Sequence, residues 1–385
     1  MPLPISYSWR NLVARISSTF LTLSGVSLAV MSFVLISAMA AGIKKTAAIT
    51  GDPENVLVLA KGGATAEASK LPWETVNVVK YLPEVARGPT GESLASVEAI
   101  LVRSIPRVGA KPGDLSDTRY TTIRGVTQAI FGVHPDAKIV AGRFPQNPGE
   151  VLIGRLLPTR LGNVGIGGEL HFGRQPHPVV GIFEAGGQIF EGEIWMQIAD
   201  IMSEMQLKEP SAVVLRLKDA QAANAVIREI GDSKRFSADA KAERKYYEEA
   251  SRASVAFGVL GNIIGIIMGL GAVFAGMNTM YAAMSRRIRE IGTLRALGFG
   301  RRDIGTAFLM ESLFLSVLGG AVGLGISLAF NGMAFNFFQF AFQIAVDARS
   351  LTRGAALALL IGAFGGFLPA RAASRLQIVD ALRHV

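Results

Sequence analysis

The densest run of side chains able to do chemistry reads Ser285-Arg286-Arg287-Ile288-Arg289-Glu290-Ile291-Gly292-Thr293-Leu294-Arg295-Ala296-Leu297-Gly298. Arginines beside a carboxylate suit recognition rather than bond breaking, because charge-assisted hydrogen bonds fix register. Ile288, Ile291, Leu294 and Leu297 recur every three residues, which places an apolar stripe along one side of a helix. Arg286 and Glu290 stand four apart and can pair along it. Gly298 suits a left-handed C-terminal cap, with Phe299 packing back on Leu294. From the residues alone two readings stand level. One is a helix that docks on a protein partner, and the other is a basic helix resting on a membrane surface.

Elsewhere reactive groups are sparse. There is no cysteine, which excludes disulfides and thiolate metal sites. His134, His171, His177 and His384 have no ligand-like spacing and read as surface or loop histidines. Acids between 43 and 250 are dispersed, and no nucleophile–base set stands out, so neither a catalytic nor a metal site is expected. Nothing matches Gly-x4-Gly-Lys-Ser/Thr, the loop whose amides cradle ATP phosphates. The formal charge of +9 raises nucleic acid as a partner, but its placement argues against that.

Half the residues are hydrophobic and 18% are charged, and the apolar ones concentrate at the two ends. Crossing a bilayer takes about 20 apolar residues. Four segments qualify, at 20–42, 253–284, 304–331 and 351–370. Short loops rich in Lys and Arg face the cytoplasm. Arg10 and Arg15 precede the first span, six arginines lie at 286–302, and Arg371, Arg375 and Arg383 follow the last. Segments 1–19, 285–303 and 371–385 are therefore expected on the cytoplasmic side, with 43–250 and the connection 332–350 outside. Lys44 and Lys45, just beyond the first span, dissent locally. Ala38-Met39-Ala40 has the form of a cleavage site, but the apolar run before it exceeds a signal core of about 7 to 15 residues. The first span is expected to be retained.

The fold class expected is a membrane protein, with four transmembrane helices and a large α+β domain inserted between the first two. Strands are read at 55–59, 99–102, 150–153, 178–182 and 212–217, and helices at 73–82 and 220–230, the second capped by Asp219. Residues 238–253 read as one helix running into the second span, a stalk. Gly261, Gly265 and Gly269 repeat every four residues, the small-residue pattern of closely packed membrane helices. They suit a dimer seam or packing within one subunit equally. Glu311 is the lone acid within a span and lies near its cytoplasmic end, within reach of a loop arginine. Asn278 is expected to hydrogen-bond between helices.

The run at 287–298 resembles the hallmark of the MacB/FtsX-type ABC permeases, the macrolide-exporter and lipoprotein-releasing superfamily. Arg10-Asn11-Leu12 with Arg15 looks like that family's N-terminal stretch. Met277-Asn278-Thr279-Met280, then Glu311 with Leu315-Ser316-Val317-Leu318-Gly319-Gly320, look like its second and third helices. Pro369-Ala370-Arg371-Ala372-Ala373 with Asp380-Ala381-Leu382 is similar to its tail, where Ile378 replaces a usual proline. Gly142-Arg143-Phe144, Glu150-Val151-Leu152-Ile153-Gly154 and Val180-Gly181-Ile182-Phe183 resemble its extracytoplasmic core. The resemblance implies that Arg286, Arg287, Glu290, Ile291, Leu294, Arg295, Leu297 and Gly298 form a coupling helix docking on a separate ABC ATPase. It also implies a homodimer or a dimer with a related permease, contact with membrane lipid, and at times a periplasmic adaptor or lipoprotein partner; no nucleic acid and no cofactor are implied. The expected task is mechanotransmission for export or extraction of hydrophobic, peptide or lipoprotein cargo. The alternative is an ATP-driven signalling protein that activates a cell-wall hydrolase or sensor.

Overall fold

The protein is described by a computed structural model covering residues 16–63, 65–110, 117–233, 236–251, 253–337 and 340–377. Arg10-Asn11-Leu12, Arg15, Ile378, Asp380-Ala381-Leu382, Arg383 and His384 lie outside the described residues. The chain divides into two units. One comprises residues 1–42, 254–333 and 344–385, and the other comprises 43–253 with 334–343.

The second unit is built on a ten-stranded mixed sheet. Its strands are β1 Asn55–Ala60, β2 Ala95–Pro106, β3 Thr118–Val126, β4 Lys138–Gly142, β5 Val151–Gly154, β6 Glu169–Phe172, β7 Gln175–Glu184, β8 Glu193–Gln197, β9 Ala212–Arg216 and β10 Ala238–Ala242. They run in the order β10-β1-β9-β2-β3-β8-β5-β7-β4, with β6 on β7. β3 pairs with β8, and β5 with β7, in parallel; the other pairings are antiparallel.

Alternation along each strand assigns the two faces. Val56 and Val58 of β1 pack with Val76 and Val79 of α2 (Trp73–Val79) and with Val226 and Ile230 of α6 (Ala223–Asp232), while Leu57 and Leu59 join a separate cluster with Ile100 and Val214. β5 divides likewise. Val151 and Ile153 face a core with Leu157 of α4 (Leu157–Arg160) and Ile201 of α5 (Ile198–Glu204), whereas Leu152 turns to Phe183, Phe190 and Trp195. α3 (Ile130–Val133) contributes Ile130 to the latter cluster. The Asp219 carboxylate accepts from Gln221 N at 2.9 Å, closing the turn before α6.

Residues 238–242 are an edge strand rather than the start of a helix. Ala238 and Ala240 alternate inward, and pairing with β1 satisfies their backbone groups, which outweighs alanine's helix propensity. The helix that follows, α7 Glu243–Ala250, ends in a turn at Ser251.

Four long apolar helices lie largely in the first unit: α1 Ile16–Ile49, whose last residues belong to the second, α8 Ala253–Arg286, α10 Arg301–Ala329 and α11 Ala348–Arg375. Each is long enough to cross a bilayer at about 1.5 Å per residue. Val26, Val30 and Val34 of α1 pack with Ala272 of α8 and with Ala358 and Ile361 of α11. Between α10 and α11 a short antiparallel hairpin, β11 Ala334–Phe337 with β12 Phe340–Gln343, occupies much of the 332–350 connection.

Candidate coupling surface

α8 stops at Arg286, and Arg287 leaves helical geometry with φ −113° and ψ 13° before α9, Ile288–Ala296, begins. The break turns the Arg287 side chain inward. Its Nε donates to Glu290 at 3.1 Å, its Nη1 donates to Glu311 of α10 at 3.2 Å, and its guanidinium stacks 5.4 Å from the Phe308 ring. Arg287 and Glu311 are both buried. Each charge is tolerable because the other neutralises it.

Ile291 is also buried, in a cluster with Met280, Ile304, Phe308, Ala370 and Ala373. Arg295 Nη1 donates to the carbonyls of Ser374 at 3.3 Å and Leu376 at 3.2 Å, which closes the end of α11. The inward face of α9 is therefore Arg287–Ile291–Arg295, at intervals of four.

This corrects the expected apolar stripe. A step of three residues falls about 60° short of a full turn at 3.6 residues per turn, so a strict three-residue repeat winds round the helix. Nine residues separate Ile288 from Leu297, which puts them on opposite sides. Leu294 is half-buried, and Leu297 is 73% exposed. Arg286, Glu290 and Gly298 are exposed as well. The Arg286–Glu290 pair does not form, because Glu290 is drawn to Arg287 one turn away.

Gly298 has φ +96°, the left-handed region where glycine carries no Cβ penalty. Gly298 N donates to Arg295 O at 3.2 Å and Phe299 N to Leu294 O at 3.1 Å, which together make a Schellman cap. The cap ends α9 with Leu297 standing out beside it.

The glycine seam lies within the subunit. A Cβ on Gly261 would come within 2.5 Å of Ile36 Cγ2, and one on Gly265 within 2.4 Å of Phe33 Cδ2, both on α1; Gly269 faces Leu357 of α11. Asn278 does not bridge helices. It lies on the exposed side of α8, next to Thr279, which instead accepts the Thr22 hydroxyl at 2.9 Å.

The sheet unit contains a buried charge cluster that sequence reasoning missed. Arg124 Nε and Nη2 donate to both oxygens of Glu193, at 2.7 and 2.6 Å, and its Nη1 donates to Glu98 at 2.5 Å. Burial opposes the Arg124 charge, but the two carboxylates outweigh it and hold the guanidinium well above the usual arginine value. Arg124 and Glu193 line a cavity of about 210 Å³ together with Tyr246 and Tyr247. His134 and His177 are buried rather than surface histidines.

Residues 19–233 match the MacB-like periplasmic core domain, and 262–378 match the FtsX-like permease C-terminal domain. The chain belongs to the MacB/FtsX-type ABC permease family. Among curated relatives of this permease, Macrolide export ATP-binding/permease protein MacB 2 of Aeromonas hydrophila subsp. hydrophila is 30% identical over 72% of this chain and 46% of its own length. The Probable syringafactin export ATP-binding/permease protein SyfD of Pseudomonas syringae pv. tomato is 25% identical over 97% of this chain and 58% of its own length. The permease thus spans only part of these relatives. The periplasmic region of MacB from Actinobacillus actinomycetemcomitans matches 53% of this chain and 92% of its own, at 9% identity and a TM-score of 0.37.

Proposed function

We propose that this permease couples ATP hydrolysis by an ABC ATPase to movement of its inserted sheet domain, for export or extraction of hydrophobic, peptide or lipoprotein cargo. The observation carrying the reading is the division of α9 into two faces. Its inner face is tied to the bundle through Arg287–Glu311, Ile291 and Arg295, so force applied to α9 is borne by α10 and α11. Outside that face Leu297, Arg286 and Glu290 are exposed, an apolar knob and two charges. Such a knob supplies affinity on entering a pocket, and the charges supply register.

In this reading α9 lies at the cytoplasmic surface with both chain termini, in the bacterial inner membrane, and the inserted domain lies outside. Two permeases, alike or related, sit above two ATPases. The relatives are named as joining ATP-binding and permease functions, which is consistent with an ATP-binding unit working with this permease. The loop arginines fit the sidedness. ATP binding closes the ATPases, α9 is displaced, and the bundle passes the displacement to the sheet domain. A periplasmic adaptor or a lipoprotein is the partner that such a domain would meet, and lipid surrounds the bundle.

The test is co-purification of the tagged permease with its ATPase. Leu297→Asp is expected to abolish capture while the permease stays folded and membrane-inserted. Retained capture by that variant, and by Leu297→Asp combined with Arg286→Glu, would overturn the docking face.

A further inference from the structure

The chain leaves α1 at Ile49 and passes through Thr50-Gly51-Asp52-Pro53-Glu54 into β1, and α7 starts at Glu243, ten residues before α8 begins. These two segments meet inside the sheet unit. Gly51, at φ +83°, lies with its Cβ position 3.0 Å from Arg244 N, so any side chain there would be strained and crowded. The Glu243 side chain makes the polar part of the joint. Its Oε2 accepts from Asp52 N at 3.2 Å and from Asn55 Nδ2 at 2.9 Å. Its Oε1 lies 3.5 Å from His134 Nε2.

Glu243, Asn55 and His134 are all buried. The groups that hydrogen-bond the carboxyl are neutral amides, and no arginine or lysine forms an ion pair with it among the described residues. A dry carboxylate without a cation is costly, and the ordinary escape is to keep its proton. The charged and titratable groups around the pair are already committed or share its burial. Asp52 pairs with Arg216 at 3.1 Å, Arg124 pairs with Glu98 and Glu193, and Tyr247 lies one turn along α7. Burial, the main cause for each group, pushes the Glu243 carboxyl up to about 7 and takes the His134 imidazole down to about 4.

The geometry points to a neutral latch, in which Glu243 keeps its proton on Oε1 facing a neutral His134 and so holds the exit of α1 to the start of α7. Glu243 is a positioning residue in this scheme. The role rests on reading the sheet domain as the part that moves, since a joint without net charge can flex without dragging an ion through a dry interior. Whether the latch is neutral can be tested without the ATPase, so its failure and that of the docking face are separate.

The experiment uses the full chain in detergent or nanodiscs, labelled with ¹⁵N-histidine. There are four histidines, and His134 is assigned by His134→Gln. The His134 ring is expected to give neutral-imidazole shifts from about pH 5.5 to 8; an imidazolium signal at pH 6 would overturn the proposal. Amide exchange at Asp52 supplies the second reading. Glu243→Gln, which mimics the protonated acid, is expected to keep its protection within about threefold. Glu243→Ala, which removes the acceptor, is expected to lose more than about tenfold, as a lost buried hydrogen bond implies. If Gln loses as much as Ala, the carboxylate charge holds the joint and the neutral latch is wrong.

Discussion

Arg287 is where the loop and the bundle share a charge. Removing one partner of a buried pair strands the other, which costs about 3 to 5 kcal/mol. Glu311→Ala is therefore expected to lower stability by about 3 kcal/mol in detergent unfolding, with Glu290 still bonded to Arg287. Glu311→Ala with Arg287→Met should recover most of that loss. Glu243 and His134 give a second expectation, in pH dependence. In Glu243→Gln only His134 remains, with its folded value about 4 below an ordinary 6.5. Its contribution is full above about pH 6.5 and is lost as pH falls through about 4. In His134→Gln only Glu243 remains, about 7 against 4.5, so its contribution is full below about pH 4.5 and is lost as pH rises through about 7. The two variants should show opposite slopes, each approaching about 1.4 kcal/mol per pH unit, while the wild type stays nearly flat from about 4.5 to 6.5 because the slopes cancel. Thermal unfolding across pH checks both signs.

At the scale of elements, what could be read in advance was what repetition writes into a chain. Four apolar stretches became α1, α8, α10 and α11, and the β-branched runs became β1, β2, β5, β7 and β9. Long-range placement was not legible. β10 has an alanine-rich sequence that favours helix, and only pairing with β1, more than 170 residues away, makes it a strand. Arg124 and its acids looked dispersed because 26 and 69 residues separate them in sequence. The stripe on α9 was visible, but its drift round the helix decides which leucine is free. Ile291→Asp is accordingly expected to destabilise the bundle, whereas Leu297→Asp should leave unfolding within about 0.5 kcal/mol of wild type, as for an ordinary surface change. The seam offers a steric check. Gly265→Val should weaken the bundle by overpacking against Phe33, by about 1 to 3 kcal/mol, and Phe33→Ala in the same chain should relieve part of it.

For the whole molecule, mechanotransmission requires that force received at α9 by the helical bundle move the sheet domain. The membrane helices need not enclose a substrate path for this. The most direct measurement is a distance between the two units as ATP binds. The chain has no cysteine, so Tyr81→Cys in the sheet domain and Met310→Cys on α10, both positions well exposed, accept spin labels without background. With the ATPase present, ATP trapping is expected to shift the distance distribution by electron–electron resonance, and adding Leu297→Asp should abolish the shift. An unchanged distribution while the complex binds and turns over ATP would contradict mechanotransmission.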